Sequence, residues 1–287
     1  LFFGFGKGQL KIMKLLEFKE SIIERLTLLK ASIIFTAQRE LAYAGKNWIS
    51  LLSTTLFTFS VLIFANVLYS NVHQIAGYSK NDMLFYFFIC QMSYYANWIF
   101  TIRNLNDLIP EVNNGNLDMV LVKPVPSLFF LMTRTISLVS IATDAIVPTI
   151  AIALSINWQS LEIAFPHLII GFIVWILGLM ALHTYQILAA LPVFWFGESE
   201  NILNLASSVA SGEGTLIPFE GYSKNLQFLL STLIPVLIAS GFTTSIILGK
   251  ANIPNLLVWA VVIGVASVYI KNVAWKFALK HYTSASS

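Results

Sequence analysis

The chain has 287 residues, of which 57% are hydrophobic and only 11% charged, and its mean hydropathy is +0.76; soluble domains carry roughly 25% charged residues. This excludes most soluble folds, and a net charge of only +3 gives no reason to expect nucleic acid as a partner. Apolar runs reach the about 20 residues that a helix needs to cross hydrocarbon, and runs such as LLVWAVVIGVASVYI lack the alternation of barrel strands, so the expected fold is an all-α polytopic membrane protein.

The opening LFFGFG is shorter than the apolar core of a signal peptide and has no small-residue cleavage site, so no cleaved targeting signal is expected. From Ile12 to Ile33, apolar Ile12, Leu15, Ile22, Leu26, Leu29 and Ile33 recur at three- and four-residue steps, with Lys11, Lys14, Glu17, Glu24 and Arg25 mostly elsewhere. Such spacing predicts an amphipathic helix lying along the membrane surface, inside an N-terminal segment of residues 1–46.

Six spans then follow: Trp48 to Tyr69, Met83 to Ile102, Leu128 to Leu154, Leu168 to Ala190, Leu226 to Leu248 and Ile253 to Ile270, within a transmembrane domain of residues 47–275 and before a tail of residues 276–287. Pro148 and Pro235 fall inside spans and are candidate kinks, which membrane helices tolerate when neighbours satisfy the freed carbonyls. Placing both termini in the cytoplasm puts nearly every Lys and Arg there, with only Lys80 and Lys250 outside, as the positive-inside rule requires. The cytoplasmic side then receives the loop 103–127, the segment 196–225 and the tail; the second of these is also able to re-enter the membrane.

Chemical equipment is sparse. No phosphate-binding G-x-x-x-x-G-K-[ST] occurs, so any ATP used must be hydrolysed by another chain. His73, His167, His183 and His281 are scattered and Cys90 is the sole cysteine, which gives neither a metal-ligand spacing nor an internal disulfide. No catalytic residues are assigned. Asp144 lies well inside the third span with Arg134 ten residues earlier, about 15 Å of helix rise, too far for a direct pair. A charge in hydrocarbon costs at least about 2.5 to 3.5 kcal/mol, so Asp144 needs water, a proton or a partner helix, whereas Arg134 is able to snorkel to the interface. Asp144, His183 and Asn66 are the candidate pathway residues, with interhelical hydrogen bonds as the plainer role for the last two.

The stretch NNGNLDMVLVKPVPS, from Asn113 to Ser127, interrupts this apolar chain with three Asn, a Gly, an Asp, a Lys and two Pro. Asn114 and Gly115 suit a turn with positive φ. Asn116 or Asp118 is placed to cap the short apolar run behind it, and KPVP stops regular structure before the next span. A short, rigid knuckle between two membrane helices is expected, longer than the about 4 to 6 residues of an ordinary connection.

Taken together, RELAYAGKNW, IAGYSKNDML, GNLDMVLVKPVPSLFF, LIPFEGYSKNLQFLLSTLIP and the ending KFALKHYTSASS resemble the ABC-2 type permeases, specifically the six-span subfamily formerly called a domain of unknown function, from about Arg39 onward. One departure is that Asn113, Asn114 and the His281–Tyr282 pair stand where that family usually carries arginine. The resemblance implies an ABC-2, type V exporter-like fold in a bacterial inner membrane, without enzymatic activity of its own. It implies two permease subunits, identical or paralogous, surrounded by membrane lipid. Each docks on a separate ABC ATPase subunit that holds the ATP and Mg, this chain binding no cofactor or metal. The knuckle becomes the coupling helix, and Leu108, Ile109, Glu111, Asn113, Gly115, Asn116, Leu117, Asp118, Lys123 and Pro124 become the candidate contacts to the ATPase. An ion-coupled secondary transporter using Asp144 is the alternative; that class carries inverted repeats, and the two halves of this chain show none.

Overall fold

Helix replaces pattern almost throughout the computed structural model, which describes residues 7–41, 44–210 and 217–282, with side-chain surroundings for 23–40, 48–210 and 217–282. In chain order the helices are α1 (Lys7–Leu41), α2 (Ala44–Asn71), α3 (Lys80–Asn97), α4 (Arg103–Asn113), α5 (Leu117–Leu121), α6 (Ser127–Thr133), α7 (Leu138–Ser140) and α8 (Val147–Leu154). They are followed by α9 (Phe165–Ala190), α10 (Val193–Phe196), α11 (Glu200–Ala210), α12 (Lys224–Thr232), α13 (Thr243–Ile247) and α14 (Ile253–Leu279). Wider π turns at Trp98–Ile102, Ile141–Ile146 and Ile238–Phe242 join α3 to α4, α7 to α8, and the stretch before α13 to α13 itself.

Among the described residues three helices are long and apolar enough to cross a membrane, Trp48–Asn71, Phe165–Phe196 and Ile253–Leu279, and α6 with the α7–α8 stretch forms a further pair bent by 55°. The stretch from α3 through the π turn is slightly shorter, and Lys80, Asn81, Asp82, Gln91 and Asn97 make it less apolar.

Polar contacts define two ends of the bundle. At one, the link end, the start of α3 meets the connection after α8, where Asn81 donates to the Asn157 carbonyl at 2.9 Å; Lys250, just before α14, pairs with Asp82 at 3.0 Å. At the other, the knuckle end, Arg103 pairs with Glu40 at 2.5 Å, and the Trp275 indole donates to Ser127 at 3.1 Å.

The bend in the third span lies at residues 134–137, not at Pro148, which follows directly on the wider π turn Ile141–Ile146 in a helix that runs on to Leu154. Backbone groups freed by the break are met from neighbouring helices, the condition for breaking a helix inside a bundle. Fully buried Asn104 donates to the Met132 carbonyl at 2.9 Å and accepts from the Thr135 N–H at 3.2 Å. Ser32 of α1 donates to the Thr133 carbonyl at 2.8 Å, and Ser137 caps α7 through the Ser140 N–H at 2.8 Å. The N-terminal helix therefore does more than float on the surface: Leu29 and Ile33 pack on Tyr95, Ile99 and Ile136, while Ile23, Leu26, Ile34 and Phe35 stay exposed. Side chains of its first half lie outside the described residues.

The greatest departure from expectation is at 196–248. The segment 196–225, expected either on the cytoplasmic side or partly re-entering the membrane, leaves the knuckle end as α11, whose Leu203 is in the knuckle core while Ala210 packs beside Leu182 and Val236. Residues 217–222 lie near the link end, where Tyr78 donates to Glu220 at 3.0 Å and Tyr86 to the Ile217 carbonyl at 3.0 Å. The chain thus passes from one end to the other between Glu200 and Ile217, and Lys224 belongs with Lys80 and Lys250.

Leu226 to Leu248, expected as one span with a candidate kink at Pro235, is a hairpin. Phe219 meets Phe242 edge-on at 4.8 Å and Glu220 accepts from Ser245 at 2.6 Å, so the chain between those points turns back on itself. Pro235 lies at the turn, between α12 and the π turn. The returning arm runs antiparallel to α9, with Ala239 against Gly178 and Ile247 against Gly171. A Cβ on Gly178 would stand 2.4 Å from the Ala239 nitrogen and 2.6 Å from its Cα, so glycine sets how closely the returning arm approaches α9.

Candidate functional site

The knuckle is built on a helix that does not stop at the bundle's edge. α3, its π turn and α4 run on continuously, and Leu105, Leu108 and Ile109 turn one face of α4 inward. Gly115 takes φ +71°, a left-handed conformation that is cheap only for glycine, and reverses the chain into α5. No side-chain cap forms on α5, although Asn116 occupies its N-cap position. The Lys123–Pro126 turn then leads into α6, with Lys123 standing 4.7 Å above the Phe130 ring.

Packing decides which knuckle residues are available to a partner. Leu108, Ile109 and Leu117, expected as contacts, are buried in a core with Val120, Leu131 and Trp275; they hold the knuckle rigid and offer it no surface. The physical reason is that α5 carries two apolar stripes at the same i, i+3 spacing, Leu117 with Val120 and Met119 with Val122, and only one faces inward. Met119 is 69% exposed and Val122 83% exposed. Around them Asn114, Asn116, Lys123 and Pro124 are exposed as well.

The remaining expected contacts are partly structural. The Asn113 amide donates to the Gly197 carbonyl at 2.7 Å, tying the knuckle to the turn after α10. Glu111 pairs with Arg134 at 3.0 Å, joining α4 to the break in the third span. Asp118 lies against Tyr282 just beyond α14; burial, and then the Asp118 charge, raise the Tyr282 pKa above its ordinary value. The rest of the tail, residues 283–287, lies outside the described residues.

Of the three expected pathway residues, the structure brings none together. Asn66 is exposed and donates to the Leu62 carbonyl of its own helix at 2.9 Å. Asp144 has its partner helix: Ser50 of α2 donates to it at 2.8 Å, as does Thr143. His183 is paired with Thr101 at 2.9 Å and lines an open cavity of about 810 Å³ between α1, α3, α6, α9 and α14.

That cavity has side chains that sequence reading passed over. Its walls are largely apolar, with Phe100, Leu128, Phe129, Trp175 and Leu179 among them, and among the described residues its charged side chains are Arg25 and Lys271, with no carboxylate. Asn97, 3% exposed, also lines it, and neither amide atom has a hydrogen-bond partner. Lys271, at the predicted end of the sixth span, was the one legible signal, a cation with more helix still to come. Among the described residues no three His, Cys, Asp or Glu side chains gather into a metal-binding group.

The bundle thus combines helices of membrane-crossing length, a rigid knuckle at the lysine- and arginine-rich end and a hairpin inserted from the link end. No curated protein and no solved structure matches the chain. Residues 55–286 match the ABC-2 family transporter proteins, a stretch that includes α3 to α14 and therefore the knuckle, the cavity and the hairpin. This multi-pass membrane protein accordingly belongs to the ABC-2 family, whose members are the permease components of ABC transporters and generally work with an ABC ATPase subunit.

Proposed function

We propose that this chain is the membrane subunit of an ATP-driven exporter in a bacterial inner membrane, with six crossings, both termini in the cytoplasm and the knuckle end facing inward. Two such subunits, identical or paralogous, form the lipid-embedded pathway, and each receives an ATPase subunit that holds ATP and Mg. The orientation is supported by the gathering of Arg25, Lys30, Arg39, Arg103, Lys123, Arg134, Lys276 and Lys280 toward that end against Lys80, Lys224 and Lys250 at the other.

The observation that carries the reading is the exposed Met119–Val122 stripe on a helix whose other stripe is locked into the core. An apolar knob on a rigid base is what a groove on another protein needs: burying Met or Val stabilises a contact by about 1.5–3 kcal/mol, and no energy is lost ordering a loop. Closure of the ATPase pair would press on α5, and α6 follows directly through the Lys123–Pro126 turn. Motion then reaches the break at 134–137, where α6 is free to tilt against α7 and α8 because the bonds across the break come from side chains of other helices.

Replacing Met119 and Val122 together with Asp tests this. The protein should still reach the membrane, since both side chains are exposed, while ATPase capture and ATP-dependent export fall at least tenfold. Unchanged capture and export would overturn the docking role.

A further inference from the structure

The cavity between α1, α3, α6, α9 and α14 has the wrong chemistry for packing and the right one for a ligand. At about 810 Å³ it falls in the roughly 300–1,000 Å³ range of small-molecule sites, far above a packing void. Its walls are mostly apolar, yet Asn97 is buried there with both amide atoms unbonded. An unsatisfied buried amide costs about 1–3 kcal/mol, a cost that a bound polar group would remove. Among the described residues neither of the cavity's two cations, Arg25 and Lys271, forms an ion pair. Arg25 rests over the Phe129 ring at 5.3 Å. Exposed Phe100, Ile176 and Met180 line the cavity as well, so its opening is apolar, as entry of an acyl chain from the bilayer would require.

We infer that this cavity binds an anionic amphiphile drawn from the bilayer, its acyl chain along the apolar walls and its acidic headgroup between Arg25 and Lys271, and that such amphiphiles are the exported substrate class. The role as cargo rests on the permease reading; occupancy of the cavity does not. A neutral amphiphile of the same length would leave both cations without a counter-charge, and a soluble anion would leave the walls unfilled.

The test uses the full chain in phosphatidylcholine nanodiscs with a diazirine-bearing hexadecanoate as photoprobe. Labelling is expected on the peptides that carry Asn97–Thr101 and Trp175–His183. Unlabelled hexadecanoate should displace the probe at least tenfold better than hexadecanol, whose chain is identical and whose headgroup is neutral. In the Arg25→Gln, Lys271→Gln double variant this preference should disappear, while Lys280→Gln on the exposed tail keeps it. Labelling confined to lipid-facing residues of α2, or equal displacement by the alcohol, would overturn the proposal. Should the double variant fail to fold, the competition on the unaltered chain decides. Loss of cavity labelling with ATPase capture intact overturns the ligand alone, whereas cavity labelling without ATPase capture would count against the docking role and leave the ligand standing.

Discussion

Glu111 and Arg134 lie 3.0 Å apart, joining the last turn of α4 to the residue where the third span breaks. Two further nitrogens of the same guanidinium, Nε and one Nη, are buried without a partner, so the Glu111 carboxylate carries most of the compensation for a largely buried cation. Removing it should destabilise the protein by about 2 kcal/mol, below the 3–5 kcal/mol of a fully buried pair because the Glu111 side chain is 26% exposed. Glu111→Ala should lower the thermal midpoint in nanodiscs, and adding Arg134→Met should recover part of the loss; a double variant less stable than the single would show the pair to be incidental.

How closely the hairpin approaches α9 depends on one small residue. Gly178→Ala places a methyl group against the Ala239 backbone, which has no rotamer with which to retreat, whereas Gly171→Ala meets side-chain atoms of Ile247, Cγ1 and Cδ1, which a rotation of that side chain moves aside. Overpacking of this kind costs about 1–3 kcal/mol. Gly178→Ala should therefore lose clearly more thermal stability than Gly171→Ala; equal losses would mean that the hairpin shifts freely.

Leu117 and Val122 should separate folding from docking. Leu117→Ala opens a cavity in the knuckle core and should cost about 2–5 kcal/mol, visible as reduced yield and a lower thermal midpoint. Val122→Ala should leave stability within about 0.5 kcal/mol and weaken ATPase capture. The reverse pattern would reassign the inner and outer faces of α5.

At the link end, burial and then the nearby Glu220 carboxylate raise the pKa of Tyr78, which lies between α2 and α3, above its ordinary 10.0. A raised phenol pKa means that the folded state keeps a proton the unfolded state releases. The resulting stability is full below pH 10 and declines as pH rises beyond it. The thermal midpoint should fall between pH 9 and pH 11, and it should fall less in Tyr78→Phe, which has no proton to lose but leaves Glu220 one donor short at every pH. An identical slope in the variant would remove Tyr78 as the cause.

Sequence alone revealed the class, the spans carried by α2, α9 and α14, and the knuckle, because each rests on local pattern: long apolar runs, Gly115 at a positive-φ turn, and prolines after α5. It misread Leu226–Leu248, since hydropathy is the same for a straight span and for a hairpin of equal length, and nothing local says that Phe219 will meet Phe242. Leu117 was taken for a contact because two apolar stripes of equal spacing look alike until one packs. Asn113 looked like a missing arginine, and its role becomes visible only once Gly197 is beside it. The cavity was hidden for the same reason: Arg25, Asn97 and Lys271 come from three helices far apart in the chain.

Whether the outer face of α5 receives the ATPase is decided by cross-linking. The sole native cysteine, Cys90, is buried, so Val122→Cys adds one reactive thiol at the knuckle, and Leu154→Cys, 82% exposed at the link end, provides the control. With a maleimide–benzophenone reagent attached to the new thiol and photoactivated beside the co-purified ATPase subunit, Val122→Cys should give a covalent permease–ATPase band and Leu154→Cys none. A band from Leu154→Cys, or none from Val122→Cys while the ATPase remains bound, would place the docking surface somewhere other than α5.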